Sequence, residues 1–140
     1  MAGSELPTVV EFSVDLNDQE APEPLPAGEY RGVISKTERR ESKDRGTMYG
    51  AISFRISSDQ YPADFTEGPE EGLTLVFRRV GLEDNPQSRY GTKRFMEAIG
   101  APLSKKFDMV EWVGLEAAVD VVHDTYEGVT RAVIDRVRAV

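Results

Sequence analysis

Apolar and polar residues alternate along much of this chain with the two-residue period of a half-buried strand. Val10, Phe12, Val14 and Leu16 alternate with Glu11, Ser13 and Asp15, which predicts a short N-terminal strand. Asn17 to Pro26 is rich in proline and acid and reads as an extended linker. A strand is then predicted over Tyr30 to Thr37, followed by a charged turn from Arg40 to Gly46. The next strand has the clearest pattern: Met48, Gly50, Ile52, Phe54 and Ile56 fall on one face, and Tyr49, Ala51, Ser53, Arg55 and Ser57 on the other. Ser58 to Gly72 reads as a long acidic loop, and Leu73 to Val80 as the next strand, with Leu73, Leu75 and Phe77 facing inward. Phe95, Met96 and Ile99 then switch to helical spacing, with Tyr90 at the edge of the stripe. Asp84 or Asn85 can cap this helix, Pro86 suits its first turn, and Gly100 and Pro102 end it. Phe107 to Val113 is expected to add a short helical turn. Leu115, Ala117, Val119 and Val121 mark a fourth strand of the domain, Glu127-Gly128 a turn, and Val129 to Val140 a fifth strand.

The predicted order after the N-terminal segment is three strands, a helix and two strands. A five-stranded barrel with its one helix between strands 3 and 4 is the OB-fold. The sequence therefore predicts a mainly β protein: an extended acidic N-terminal arm and linker over 1–27, with one extra strand in it, and an OB-fold domain over 28–140. In that fold, strands 2 and 3 and the loops joining strands 1–2 and 4–5 form the oligonucleotide-binding face.

Charge sharpens this picture through its distribution. The formal net charge is -8. Met1 to Tyr30 carries seven acidic residues and no lysine or arginine, whereas Arg31 to Arg55 carries seven basic residues against three acidic ones. The basic stretch falls on the predicted loop between strands 1 and 2. A single strand binds by neutralisation of its phosphates and by stacking of its bases on aromatic faces. Lys36, Arg39, Arg40, Lys43 and Arg45 are candidates for the first role. Tyr49 and Arg55, on the outward face of the second strand, are candidates for stacking and a phosphate contact. Arg78 and Arg79 follow on the third strand, where alternation sends one of them outward, and Arg78 is the one assigned to the site. His123, Tyr126 and Arg131 are candidates on the last hairpin, where they would close the groove.

Other chemistry finds little support. There is no cysteine, which removes disulfides, zinc–thiolate sites and thiol nucleophiles. His123 is the only histidine and lacks clustered partners for a metal. Glu70-Glu71 belongs to a solvated loop and Glu83-Asp84 to a helix cap, so neither pair reads as an acid–base couple. Gly91-Thr92-Lys93 lacks the spacing of a phosphate loop. Trp112 reads as core. No catalytic residue, cofactor or metal is expected. The N-terminus lacks the basic start and apolar stretch of a secretory signal and no apolar run is long enough to span a bilayer, so a cytoplasmic protein is expected.

Several segments in the same order resemble phage OB-fold single-stranded DNA-binding proteins. Leu25-Pro26-Ala27-Gly28-Glu29-Tyr30-Arg31-Gly32-Val33-Ile34 resembles their "LP-x-G-x-Y" lead into the first strand. Phe95-Met96-Glu97-Ala98-Ile99-Gly100 resembles an "FLEALG"-like helix end, and Val113 to Val119 an "IGKE-x-x-V" strand start. His123 to Arg131 is similar to a hairpin of "H-x-x-Y-x-G-x-x-R" type. The resemblance covers roughly Leu25 to Val137. It implies sequence-tolerant binding of single-stranded DNA in phage replication or recombination, in the cytoplasm of a bacterial host. It also implies contact with replication or recombination proteins, for which the acidic arm is the candidate, and leaves an oligomer open. Many such proteins end in an acidic tail, whereas this chain ends in Arg136-Val137-Arg138-Ala139-Val140 and carries its acids at the other terminus. The alternative expectation is an OB-fold interaction or assembly module without a nucleic-acid ligand. The arm itself has three readings: a disordered solubilising segment, a strand added to a sheet edge, and a mask over the basic groove.

Overall fold

Five strands and one α-helix follow the arm in the computed structural model, which describes residues 5–140. They are β1 (Gly28–Glu41), β2 (Met48–Ile56), β3 (Leu73–Gly81), α1 (Pro86–Ile99), β4 (Glu116–Tyr126) and β5 (Val129–Arg138). The strands form one antiparallel sheet in the order β3-β2-β1-β4-β5, with the helix between β3 and β4 in sequence, as expected. β3 and β5 are its edges. They curl towards one another until Arg79 Nη1 donates to the Asp135 carbonyl at 3.3 Å and lies 3.6 Å from its carboxylate. No backbone ladder joins these two strands among the described residues.

The strands bury most of the rows that alternation picked out, while Met48, Leu73, Leu75 and Leu115 are only half-buried. Ile34 of β1, Ile52, Phe54 and Ile56 of β2, Phe77 of β3 and Ala117, Val119 and Val121 of β4 form the core with Phe95, Met96 and Ile99 of the helix. Phe95 is its aromatic centre: its ring stacks on Phe77 at 5.6 Å and lies 6.4 Å from Phe54 and 5.5 Å from Trp112. Trp112 is core, at 2 % exposure, on a 3-10 turn over Met109–Trp112. Helix α1 starts where Asn85 Oδ1 accepts from the Ser88 N–H at 2.9 Å, with Pro86 in the first turn, and ends at Gly100 in the left-handed conformation (φ 77°). At Gly32 a Cβ would stand 3.0 Å from the Phe54 ring, so the bare backbone lets β1 cross the core closely. The β4–β5 hairpin turns through Glu127 and Gly128, both with positive φ (51° and 80°), the signature of a type I′ turn.

Two sequence expectations are corrected. β1 runs to Glu41, so Arg39 and Arg40 lie in a strand and not in a turn; the hairpin tip is only Ser42 to Thr47, closed by Gly46 N–H to Ser42 O (2.9 Å) and Ser42 N–H to Thr47 O (2.8 Å). The polar end of β1 is held by its ladder to β2, which hydrophobic alternation does not reveal. Val10 to Leu16 forms no strand: Val10, Phe12, Val14 and Leu16 are all exposed, with only a 3-10 turn over Leu16–Asp18. Alternation alone does not make a strand where no sheet edge receives it. Met1 to Ser4 of the arm lie outside the described residues.

The junction between arm and domain is tied down. Leu25 is buried, the Tyr30 hydroxyl donates to the Pro26 carbonyl at 2.7 Å, and His123 Nε2 lies 2.9 Å from the Leu25 carbonyl oxygen. Where β1 extends past the end of β2, Gln60 takes the neighbouring strand's place. Its Oε1 accepts from the Arg31 N–H at 2.7 Å and its Nε2 donates to the Arg31 carbonyl at 2.8 Å.

At the C-terminal end Arg138 donates to both carboxylate oxygens of Asp120 (3.0 and 2.7 Å) and to Glu29, tying β5 to β4 and β1. The Arg138 guanidinium holds the Asp120 carboxyl below the ordinary aspartate value, against the opposing effect of burial. A carboxylate depressed in the folded state contributes stability that is full above its unfolded pKa and lost as pH falls through the folded one. Thermal melts between about pH 6 and 2 are therefore expected to show a shallower acid limb for Asp120→Asn than for the native chain. Parallel acid limbs would show that the pair does not couple folding to protonation.

Among the described residues no helix is long and apolar enough to cross a membrane.

Candidate nucleic-acid interface

Residues opposed across an antiparallel ladder share a face of the sheet. β1 sets Lys36 opposite Ser53, Glu38 opposite Ala51 and Arg40 opposite Tyr49, and β2 sets Arg55 opposite Thr74 and Ser53 opposite Val76. Ile52, Phe54 and Ile56 point into the core, so this second set forms the outer face. Lys36, Arg40, Tyr49 and Arg55 are thus gathered on one surface. Arg78 joins them: it lines, with Arg40, Lys43 and Tyr49, an open cleft of about 810 Å³ at the outer end of the β1–β2 hairpin. Arg78 and Arg79 are both exposed, contrary to the alternation expected of them. The β2–β3 register shifts between Gly50 and Ile52, just where these arginines stand, and the bulge breaks the two-residue period.

Two acids, Glu38 and Glu41, line the cleft with these bases, and Glu38 is the one that pairs with them. It bonds Arg40 and lies 3.3 Å from Lys36, and these two contacts, Arg40 first, hold its carboxyl below the ordinary glutamate value. Arg40 is shifted upward in turn, chiefly by Glu38 and to a lesser degree by the Tyr49 phenol beside it. A phosphate reaching this face would compete with Glu38 for two cations. Arg55 donates to the Glu71 carbonyl. Among the described residues Lys43, Arg55 and Arg78 make no ion pair.

The remaining candidates stand elsewhere. Arg39 follows the opposite face of β1 and lines a different cleft with Lys106, Phe107 and Met109. Arg45 is exposed at the hairpin tip. His123, Tyr126 and Arg131 belong to the β4–β5 hairpin, which projects past Gly28, whereas the β1–β2 hairpin projects past Glu41. These are the two ends of one 14-residue strand, separated by roughly 40 Å of chain. There Arg131 lies over the Tyr126 ring, 5.4 Å from its centroid, and 3.4 Å from Asp124. The sequence reading did not single out Glu38, the residue that sets the electrostatics of the outer face; its i±2 spacing from Lys36 and Arg40 along a strand was the available signal.

The carboxylate pairs have structural roles or none. Glu83 accepts from the Met48 N–H at 2.8 Å, Asp84 pairs with Arg89 at 2.5 Å, and Glu70 and Glu71 are exposed. Thr92 of the Gly91-Thr92-Lys93 stretch lies within α1 and donates to the Gly81 carbonyl at 2.6 Å. Among the described residues no group of three or more histidine or acidic side chains is placed to hold a metal.

No protein-family model matches this sequence, and no curated protein matches it significantly.

Proposed function

We propose that the chain is an OB-fold protein that binds single-stranded DNA without strong sequence preference, in phage replication or recombination, and performs no catalysis. The observation that carries this reading is the outer face of β1–β2 and its cleft: Lys36, Arg40, Lys43, Arg55 and Arg78 around the half-exposed ring of Tyr49. The approach of β3 to β5 through Arg79 and Asp135, with the helix inserted between β3 and β4, supports the barrel. Binding would proceed by capture of phosphates, Glu38 releasing Arg40 and Lys36, followed by stacking of a base on Tyr49.

Titration of fluorescent oligo-dT at low and high salt tests this directly. Binding is expected at low salt, weakening as salt rises, with duplex bound less well. Tyr49→Ala is expected to weaken single-strand binding by about 1–3 kcal/mol while leaving the melting temperature nearly unchanged. No anisotropy change at low salt and micromolar protein would end the nucleic-acid reading. The second reading, an interaction module of the same fold, is favoured by one observation: six apolar side chains exposed between Leu6 and Leu16.

A further inference from the structure

Two of the exposed apolar regions among the described residues are complementary. The first is the arm, where Leu6, Val9, Val10, Phe12, Val14 and Leu16 are exposed, Phe12 at 65 %. Between residues 5 and 27 it carries only acidic charge. The second flanks the Met109–Trp112 turn, where Leu103 (49 %) and Val110 (62 %) are exposed and Phe107 is partly so. Phe107, with Leu82, is common to two clefts. One, of about 720 Å³, lies against α1 and is lined by Leu82, Met96, Leu103 and Phe107, with Lys93 and Lys105 at its margin. The other lies against β1 and includes Arg39 and Lys106. Of the acids nearby, Glu83 accepts from the Met48 N–H, Asp84 pairs with Arg89 and Asp108 accepts from the Val110 N–H, while Glu111 in the β1-side cleft has no side-chain partner among the described residues. Arg39, Lys93, Lys105 and Lys106 form no ion pair among the described residues. An apolar groove with unengaged cations thus faces no partner, in a chain whose own arm is apolar and anionic.

We propose that the groove around Phe107 receives the arm of a second copy of this chain, with Phe12 filling the cleft beside Leu103 and with Glu11 and Asp15 meeting Lys105 and Lys106. The arm's own geometry favours a second copy over its own domain. Pro22, Pro24 and Pro26 alternate just before β1, which keeps this stretch extended at about 3.1 Å per residue. Leu25 is anchored in the core and the Glu23 N–H donates to Glu67 at 3.3 Å, so the arm leaves at the Gly28 end of β1. Its apolar residues are exposed and do not occupy the groove of their own domain. Each copy offers one arm and one groove, so reciprocal exchange gives a closed two-fold dimer with two identical contacts. The contact does not depend on nucleic-acid binding, which the outer face of β1–β2 would support whether or not the arm docks.

Sedimentation equilibrium of the full chain tests the proposal. A dimer is expected, and Phe12→Asp is expected to raise its dissociation constant about 100- to 10,000-fold, since the substitution removes a buried aromatic anchor from each of the two contacts. Lys105→Glu with Lys106→Glu should weaken the dimer, and adding Glu11→Lys and Asp15→Lys to that chain should restore it. The absence of native cysteine makes a second measurement clean: the Ser13→Cys, Ser104→Cys chain should oxidise to a covalent dimer on a non-reducing gel. A monomer at all concentrations, a dimer indifferent to Phe12→Asp, charge reversal without rescue, or a disulfide that closes within one chain would each overturn the proposal.

Discussion

Phe95→Ala is expected to be among the most destabilising single substitutions in the domain, lowering the unfolding free energy by about 3–5 kcal/mol. Phe95 is 6 % exposed and its ring contacts Phe54 of β2, Phe77 of β3 and Trp112 of the 3-10 turn. Truncation opens a cavity where the helix meets the sheet, and adds to it the loss of aromatic contacts each worth about 0.5–1.5 kcal/mol. Chemical denaturation monitored by circular dichroism measures the effect. A loss under about 1 kcal/mol would mean that the neighbouring rings close the gap and that the helix docks by other contacts.

The second large effect concerns the outer face. Arg40→Ala combined with Arg78→Ala is expected to reduce the steepness of the salt dependence of oligo-dT binding by about 1.4, at roughly 0.7 for each lost phosphate contact to a single strand. Carried from about 1 M salt, where this contribution vanishes, the same slope gives an affinity loss of about 60-fold near 50 mM salt and about tenfold near 200 mM. Arg39→Ala, which removes one charge where the pair removes two, is the control, because Arg39 lines the cleft on the other side of β1. Isothermal titration at three salt concentrations separates the cases. Equal losses for Arg39 and for the Arg40 and Arg78 pair, scaled by charge, would show that only net charge matters and that the outer face is no site.

What the sequence made legible follows from which signals are local. The inward row Ile52, Phe54 and Ile56 was readable because every second residue is large and apolar. The helix was readable from its caps, Asn85 and Gly100, and the last hairpin from Glu127-Gly128. The length of β1 was not, since Glu38, Arg39, Arg40 and Glu41 are all polar and owe their extended state to the ladder with β2. That extension divides the basic run: two adjacent arginines in a strand point to opposite faces, whereas in a loop they can act together. The exposure of both Arg78 and Arg79 depends on a bulge, which no local pattern announced. The distance between the two hairpins depends on register across three strands and so lies outside any local reading. In the arm the alternation was real and the strand was not, because period describes what a segment can offer and says nothing of who accepts it.

The amide of Gln60 bears on that last point. A strand that outruns its neighbour ordinarily leaves a donor and an acceptor facing outward, and such an edge recruits whatever extended chain drifts past. Here a single side chain fills both valences of Arg31, so the sheet is shut at the place nearest the root of the arm. An extended segment arriving there meets no template for growth. The protein thereby denies its own apolar terminus a template at the point where that terminus joins the sheet, and confines unpaired backbone to the outer rims of β3 and β5.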